Sequence, residues 1–379
     1  MLELPPLSLY VHIPWCVRKC PYCDFNSHES SDPFPEKAYV DALIKDLKND
    51  LALVQNRKLH SIFFGGGTPS LFSATSIETV IRAAQEHIGF EDSIEITLEA
   101  NPGTAEYKKF ADFNAAGVNR LSLGVQSFND NHLSALGRIH NGDNARNAVK
   151  MAQNAGFDRL NIDLMHGLPN QTRVEAIDDL GIAIDMGATH ISWYQLTIEP
   201  NTAFYSKPPL LPAEDRLADI QDIGYEKLMD AGFDQYEVSA FSLYGEACRH
   251  NINYWEFGDY LGIGAGAHGK LTQPYQEQIV RTAKTRMPEH FMRQAGATPP
   301  AEKPITIDQL PIEFLMNALR LTSGINKNMF THRTGLKNDH IARQVIQLQQ
   351  EGLLVTDESK YCVTTLGMRF LDSVLQRFS

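Results

Sequence analysis

The order in which strand-like and helix-like segments alternate constrains this chain more than any other feature. Six short runs rich in β-formers, Ser8–Pro14, Ser61–Phe64, Ile94–Ala100, Arg120–Gln126, Arg159–Met165 and His190–Thr197, are each followed by residues with helical spacing. The helical segments expected between them include Glu36–Val54, Ser76–His87, Ala105–Ala116, Asp143–Ala155 and Val174–Met186. Such alternation implies parallel pairing through right-handed crossovers. Six units point to an α/β fold built as an incomplete (β/α)6 barrel, with a doubly wound open sheet as the competing topology. The unusual polar and glycine residues fall at the C-terminal ends of the strands: a cysteine loop after the first, Gly65–Pro69 after the second, and Glu99–Asn101 after the third. Gln126, Asp163 with His166, and Gln195 follow at the next three. Barrel enzymes build their sites at that end, so these residues are expected to share one site.

The cysteine loop has its own chemistry. Cys16, Cys20 and Cys23 stand at C-x3-C-x2-C spacing, three of the five cysteines within eight residues. An iron–sulfur cube takes thiolates on its iron corners, usually four. Three on one loop can hold three corners and leave the fourth iron open to another ligand. A structural zinc site would need a fourth Cys or His, which His12 or His28 could supply. An odd cysteine count with three so close together argues against a disulfide framework. Gly65–Gly66–Gly67–Thr68–Pro69 is at the least a strand-to-helix turn, and three glycines also let backbone groups approach a ligand. It is not a Walker loop, because no Gly-Lys-Ser/Thr follows. Gly262–Gly269 lacks the spacing of a dinucleotide fingerprint and reads as a close-packed loop, against the same ligand or otherwise.

The bulk composition narrows the class. With 379 residues, 43% apolar and 21% charged, the chain is an ordinary globular one with room for two domains or one barrel and an appendage. Its net charge of −12 argues against nucleic acid. No run approaches the roughly 20 apolar residues that span a bilayer, and MLELPPLSLY lacks the pattern of a signal peptide. Unpaired cysteines without an export signal imply a reducing cytoplasm.

Taken together, YVHIPWC, FFGGGTPS, EANPGT, GVQSF, LGRIH, NIDLMHGLP, YQLTIEPNT and HNINYWEFGDYLGIGAGAHG resemble, over nearly the whole chain, the radical S-adenosylmethionine (SAM) family. The likeness is to the branch that holds oxygen-independent coproporphyrinogen III oxidase and its haem-chaperone relatives. It implies a [4Fe–4S] cluster on Cys16, Cys20 and Cys23, with SAM on the open iron. It implies that Tyr10, Gly66 and Glu99 contact that SAM, Glu99 at the ribose. Phe25, Gly67, Thr68, Gln126, Arg138 and Asp163 match positions that line a second SAM pocket in the oxidase. Read alone, Arg138 could equally be a surface ion pair and Asp163 a helix cap. The oxidase pattern has a fourth cysteine where Phe25 stands, and an extension ahead of its cysteine loop; both departures favour the chaperone.

His250-Asn251-Ile252-Asn253-Tyr254 matches the H-N-x-x-Y element that accompanies haem binding in the chaperone resemblance. His250 is the expected axial ligand, with Tyr254 beside it and Cys248 ranked lower; a hydrogen-bonded structural histidine is the alternative. Beyond residues 299–304 the pattern changes. Ile312–Leu321 and Ile341–Gly352 read as amphipathic helices, Gly335 as a turn and Leu353–Thr364 as a two-strand wing, a winged-helix pattern suited to a lid or docking role. Cys362 there reads as a packed thiol. The expected layout is a barrel core over 1–240, a connecting segment over 241–300 and a C-terminal domain over 301–379. The expected function is a cytoplasmic haem chaperone passing haem to acceptor haemoproteins, membrane-bound respiratory enzymes among them. The alternatives are the oxidase, which converts propionates to vinyls, and a zinc-stabilised scaffold without redox chemistry.

Overall fold

Residues 2–30, 34–103, 109–297 and 300–379 are described by the computed structural model. Six parallel strands follow one another in space as in sequence: β1 (Leu7–Ile13), β2 (Leu59–Gly66), β3 (Phe90–Ala100), β4 (Arg120–Gln126), β5 (Leu160–His166) and β6 (His190–Gln195). A doubly wound sheet would reverse its order part-way. Here every right-handed crossover steps in the same direction, which puts all the helices on one face and curls the other around an interior. The arc stays open. On its far side β1 pairs in parallel with Asp259–Ile263, and β6 meets Ala240–Ser242 in antiparallel. Numbered in chain order, the six further strands are β7 (Asp234–Glu237), β8 (Ala240–Ser242), β9 (Asp259–Ile263), β10 (His268–Gln273), β11 (Gln278–Ala283) and β12 (Ala301–Pro304). The whole sheet runs β12-β11-β10-β9-β1-β2-β3-β4-β5-β6-β8-β7.

Alternation along the strands divides the two faces. Leu9, Val11, Ile62, Phe64, Ile96, Leu98, Leu121, Leu123, Ile162 and Leu164 join one apolar core with the helices. These are α1 (Glu36–Asn49), α2 (Ala74–His87), α3 (Phe110–Ala115), α4 (Gly142–Asn154), α5 (Arg173–Asp185) and α6 (Glu214–Asp230). Their starts are chemically marked: Ser73 caps α2, and Asn141 with Asn144 and Thr172 with Glu175 form capping boxes on α4 and α5. The helix expected over 36–54 stops at Asn49, and a single 3-10 turn, Leu51–Leu53, follows. The chain then bends through Gln55 and Asn56 at positive φ. Asp50 is pinned there by Lys284 at 2.6 Å, a bond that fixes the helix end to the β11 side. The start of the segment expected at 105 lies outside the described residues.

The other strand positions face the interior and are mostly polar, unlike the branched apolar filling usual in barrels. Near the N-terminal ends of the strands the interior is closed by α7 (Arg249–Trp255). Asn253 Nδ2 donates to Ser8 Oγ at 3.0 Å, and Ser8 and Ser61 share a bond of 2.8 Å. The α7 start is anchored by Glu95, which accepts from the amides of Arg249 and His250 at 3.2 and 3.1 Å. Burial alone would raise the Glu95 pKa, but Arg120, Arg159 and these amides hold it below the usual carboxylate range.

The C-terminal residues build a second core around Phe314, Phe330, Tyr361 and Val374. Helices cover Leu310–Ala318 and Ala342–Gln350 near the expected places, and a further helix, Lys327–Thr334, ends on Gly335 at φ 75°. Leu354 and Val363 pair across the expected wing. Lys360–Tyr361, however, forms its ladder with Ile325–Asn326 rather than within the wing.

Candidate functional site

The cysteine loop leaves β1 and is tied down by its backbone. His28 N donates to Pro14 O at 2.7 Å and Ser30 N to Cys16 O at 2.9 Å. Lys19 Nζ reaches back to the carbonyls of Phe25 and Ser27 at 3.1 and 3.3 Å. His12 Nε2 donates to Asn26 O at 2.9 Å, while its Nδ1 meets the Tyr10 hydroxyl at 3.1 Å. His12 is thereby spent on the loop's backbone and is no free metal ligand.

The glycines of the 65–69 turn answer a close approach to that loop. Gly67 N donates to Ile13 O at 2.7 Å, and Thr68 N to Trp15 O at 2.8 Å. A Cβ on Gly67 would lie 2.5 Å from Trp15 O, and one on Gly66, at φ 113°, would lie 2.6 Å from the His12 ring. Only glycine fits both positions. The later glycine loop packs against the same cysteine loop instead of facing a ligand. Asn26 Nδ2 donates to Ala265 O at 2.9 Å, and a Cβ on Gly266 would meet that amide at 2.3 Å.

One cavity of about 350 Å³ opens at the C-terminal ends of the strands. Cys16, Cys20, Cys23, Phe25, Gly66, Gly67, Thr68, Glu99, Gln126, Arg138 and Asp163 all line it, so eleven residues singled out from the sequence are brought together. Tyr10 lies beneath them; a Cβ on Gly65 would touch its ring at 3.1 Å and Glu99 Oε2 at 3.3 Å. Gln126 takes φ 70°, a conformation costly for a side chain and tolerated where it aims one. Neither Arg138 nor Asp163 fits the duller reading. Arg138 is half-buried and turned inward onto Cys20, and Asp163 sits within β5, accepting from Ser122 Oγ at 2.9 Å and Asn161 Nδ2 at 2.8 Å.

The cavity is electrostatically tuned. Burial, with Asp163 nearby, pushes the Glu99 carboxyl up to about 8, against the opposing pull of the Gly66 N–H at 3.3 Å. Burial also raises Asp163, opposed by its hydrogen bonds to Asn161 and Ser122. Two half-buried carboxyls facing one cavity resist double ionisation, and together they favour a cationic ligand. Burial raises the thiols of Cys16 and Cys23 as well, while Thr68 and Ser27 hydroxyls lower them. All three loop thiols are free and half-buried. Among the described residues no three Cys, His, Asp or Glu side chains converge on one metal ion. A cube takes one thiolate per corner, so thiols spread around a cavity suit it better than they suit zinc.

His250 and Tyr254 do not line the cavity. His250 is 1% exposed beneath Phe63, with ring centroids 5.1 Å apart. Its Nδ1 bonds Ser61 Oγ at 2.8 Å and its Nε2 the Tyr254 hydroxyl at 2.8 Å, and burial lowers its pKa to about 3. Cys248 is buried too, its thiol 3.5 Å from Glu95 Oε1 and pushed up to about 12 by burial. Sequence reasoning missed Ser122, Met165 and Tyr194 in the cavity wall, together with Asn161 and His190 behind it. The signal for them was their inward strand phase.

Residues 10–180 match the model of the Radical SAM superfamily, and residues 305–370 that of the HemN C-terminal domain. A protein named heme chaperone HemW from Haemophilus influenzae is 50% identical over 382 residues, spanning 100% of this chain and 99% of its own. One of the same name from Escherichia coli is 48% identical over 378 residues, again spanning 100% and 99%. Among solved structures, coproporphyrinogen III oxidase (HemN) from Escherichia coli superposes with a TM-score of 0.82 at 22% identity. That match covers 99% of this chain and 90% of the oxidase, and shows a shared fold.

Proposed function

The chain belongs to the radical SAM superfamily, in the branch that carries a HemN C-terminal domain and includes the HemW proteins, and on that premise we propose that it is a haem chaperone. The observation that carries this reading is full-length identity of 50% to a protein of that name. Phe25, 61% exposed where the oxidase pattern has a fourth cysteine, supports it against the oxidase.

Cys16, Cys20 and Cys23 would hold a [4Fe–4S] cluster, and the free thiols on a glycine-walled cavity fit that group. Such a cluster, when bound, supplies one-electron reduction to a sulfonium. The chain's own residues would do the rest. Gly66 and Gly67, pressed onto the cysteine loop, would set their backbone in the wall beside the SAM, and Tyr10 floors the pocket. The pair Glu99 and Asp163 attracts its positive charge, with Glu99 placed for the ribose. Thr68, Gln126, Arg138 and Phe25 close the cavity's remaining walls, and its volume falls in the range of small-molecule sites.

We assign the haem iron to His250. Its depressed pKa keeps the imidazole neutral, as ligation needs. The Ser61 bond fixes Nδ1, the outer contact a ligating histidine wants. Nε2 is capped by Tyr254 one turn along the same helix, so haem ligation requires the Tyr254 side chain to turn away from it. Acceptors would be haemoproteins. Free cysteines support a reducing cytoplasm, and among the described residues no helix is long and apolar enough to cross a membrane.

The test is an anaerobic haem titration of cluster-loaded protein, followed in the Soret band beside His250→Ala. Saturable binding whose spectrum changes with the substitution is expected. Lack of haem binding by the loaded wild type, or protoporphyrinogen formed from coproporphyrinogen, would refute the reading.

A further inference from the structure

Arg138 resembles a residue of a second SAM pocket, yet its hydrogen bonds go elsewhere. Nη1 donates to Cys20 Sγ at 3.5 Å, and Nη2 donates to Gly124 O at 2.6 Å and to the Asn101 side-chain oxygen. Asn101 donates onward to Thr68 Oγ1 at 2.8 Å, which braces the guanidinium between the ends of β2 and β3. The residue is half-buried, and its buried Nε has no hydrogen-bond partner among the described residues.

A second feature explains how Arg138 arrives there. Gly137 takes φ 68°, and a Cβ on it would lie 2.8 Å from Pro21 Cδ. The turn after the short helix Asp130–Ala135 is pressed onto the residue that follows Cys20, and the next side chain lands on that thiol. The three cysteines are not served alike. Cys23 has the neutral hydroxyl of Ser27 at 3.9 Å, and Cys16 is served by the hydroxyls of Thr68 and Ser27. Cys20 alone has a guanidinium, a donor that never gives up its charge.

A hydrogen bond from a cation to a thiolate is among the stronger ones, and it strengthens as charge builds on the sulfur. Iron–sulfur potentials follow net charge and hydrogen bonds to the sulfurs. We propose that Arg138 is a positioning residue that hydrogen-bonds the Cys20 sulfur and holds the cluster's reduction potential above the value set by three thiolates alone. This rests on the cluster reading above. It gives Arg138 a role independent of whether a second SAM binds.

The experiment compares anaerobically reconstituted wild type, Arg138→Gln and Arg138→Lys at graded poised potentials, reading the reduced cluster by EPR. At a fixed potential the ratio of reduced to oxidised cluster is expected to fall about tenfold in Arg138→Gln, equivalent to about 59 mV for a one-electron couple. Arg138→Lys should lie between. Wild type grown with 15N-arginine should show a nitrogen coupling to the reduced cluster that both variants lose, a signature that a loosened loop alone would not produce. Equal potentials at equal iron content, or an absent nitrogen coupling in the wild type, would overturn the proposal. If Arg138→Gln takes up no iron, Arg138→Lys and the labelled wild type still decide it. A wild type that binds no iron would sink the cluster reading itself, which separates the two failures.

Discussion

Replacing Glu99 by Gln should make the ligand-free protein more stable at alkaline pH and leave it unchanged at acid pH. The carboxyl's pKa is moved from 4.5 to about 8, chiefly by burial, with the charge of Asp163 adding to it. Below pH 4.5 the group is protonated in folded and unfolded chains alike and contributes nothing. Between 4.5 and 8 the unfolded chain releases a proton that the folded one retains, so stability is lost as pH rises. Above 8 the penalty is constant. Fully expressed, a shift of this size is worth about 5 kcal/mol. The carboxyl looks into a cavity wide enough to hold water, so about half of that, ~2–3 kcal/mol, is the expected effect. Gln keeps an acceptor for the Gly66 amide and removes the titration. Urea unfolding of both proteins at pH 5 and pH 8.5 measures the difference of differences, in which titrating groups remote from Glu99 cancel and the coupling to Asp163 stays part of the effect. A gap between the two proteins that is the same at both pH values would refute the electrostatic argument.

Two further outcomes follow from the geometry. Gly67→Ala places a methyl 2.5 Å from the Trp15 carbonyl, so the cysteine loop must shift; iron uptake on reconstitution should fall severalfold while far-UV circular dichroism is kept. Tyr254→Phe removes the hydroxyl from His250 Nε2 at the cost of about 1 kcal/mol in stability. If His250 is the haem ligand, stopped-flow mixing should show faster haem association than in the wild type, and an unchanged rate would count against that ligand.

The six central strands and the grouping of their C-terminal ends were legible because each signal was local: β-formers in period two, turns rich in glycine, cysteines at fixed spacing. What was hidden depended on contacts remote in sequence. Gly262 and Gly269 read as loop residues, yet they lie in β9 and β10, where a Cβ on Gly262 would sit 2.0 Å from His268 O. Glycine there serves close strand approach, which sequence pattern alone cannot tell from a turn. Charged residues inside strands mislead in the same way. Glu95, Arg120 and Arg159 look like solvent-facing positions, but Glu95 and Arg120 are buried in the interior, and Arg159 meets Glu95 at 2.9 Å. Arg138 reads as a pocket residue or a surface ion pair, and its contact with Cys20, 118 positions earlier, is visible only in the fold.

The floor of the barrel is knitted by Ser8, Ser61, His250, Asn253 and Glu95, each bonded to others of the set. Removing one partner strands another without water, whereas replacing both by apolar groups of similar shape costs little. Drift at these positions is therefore discouraged one residue at a time and tolerated in concert. Among homologues they should covary as a block, and a lone substitution at Ser8 or Ser61 should mark a chain in which α7 no longer seats as it does here.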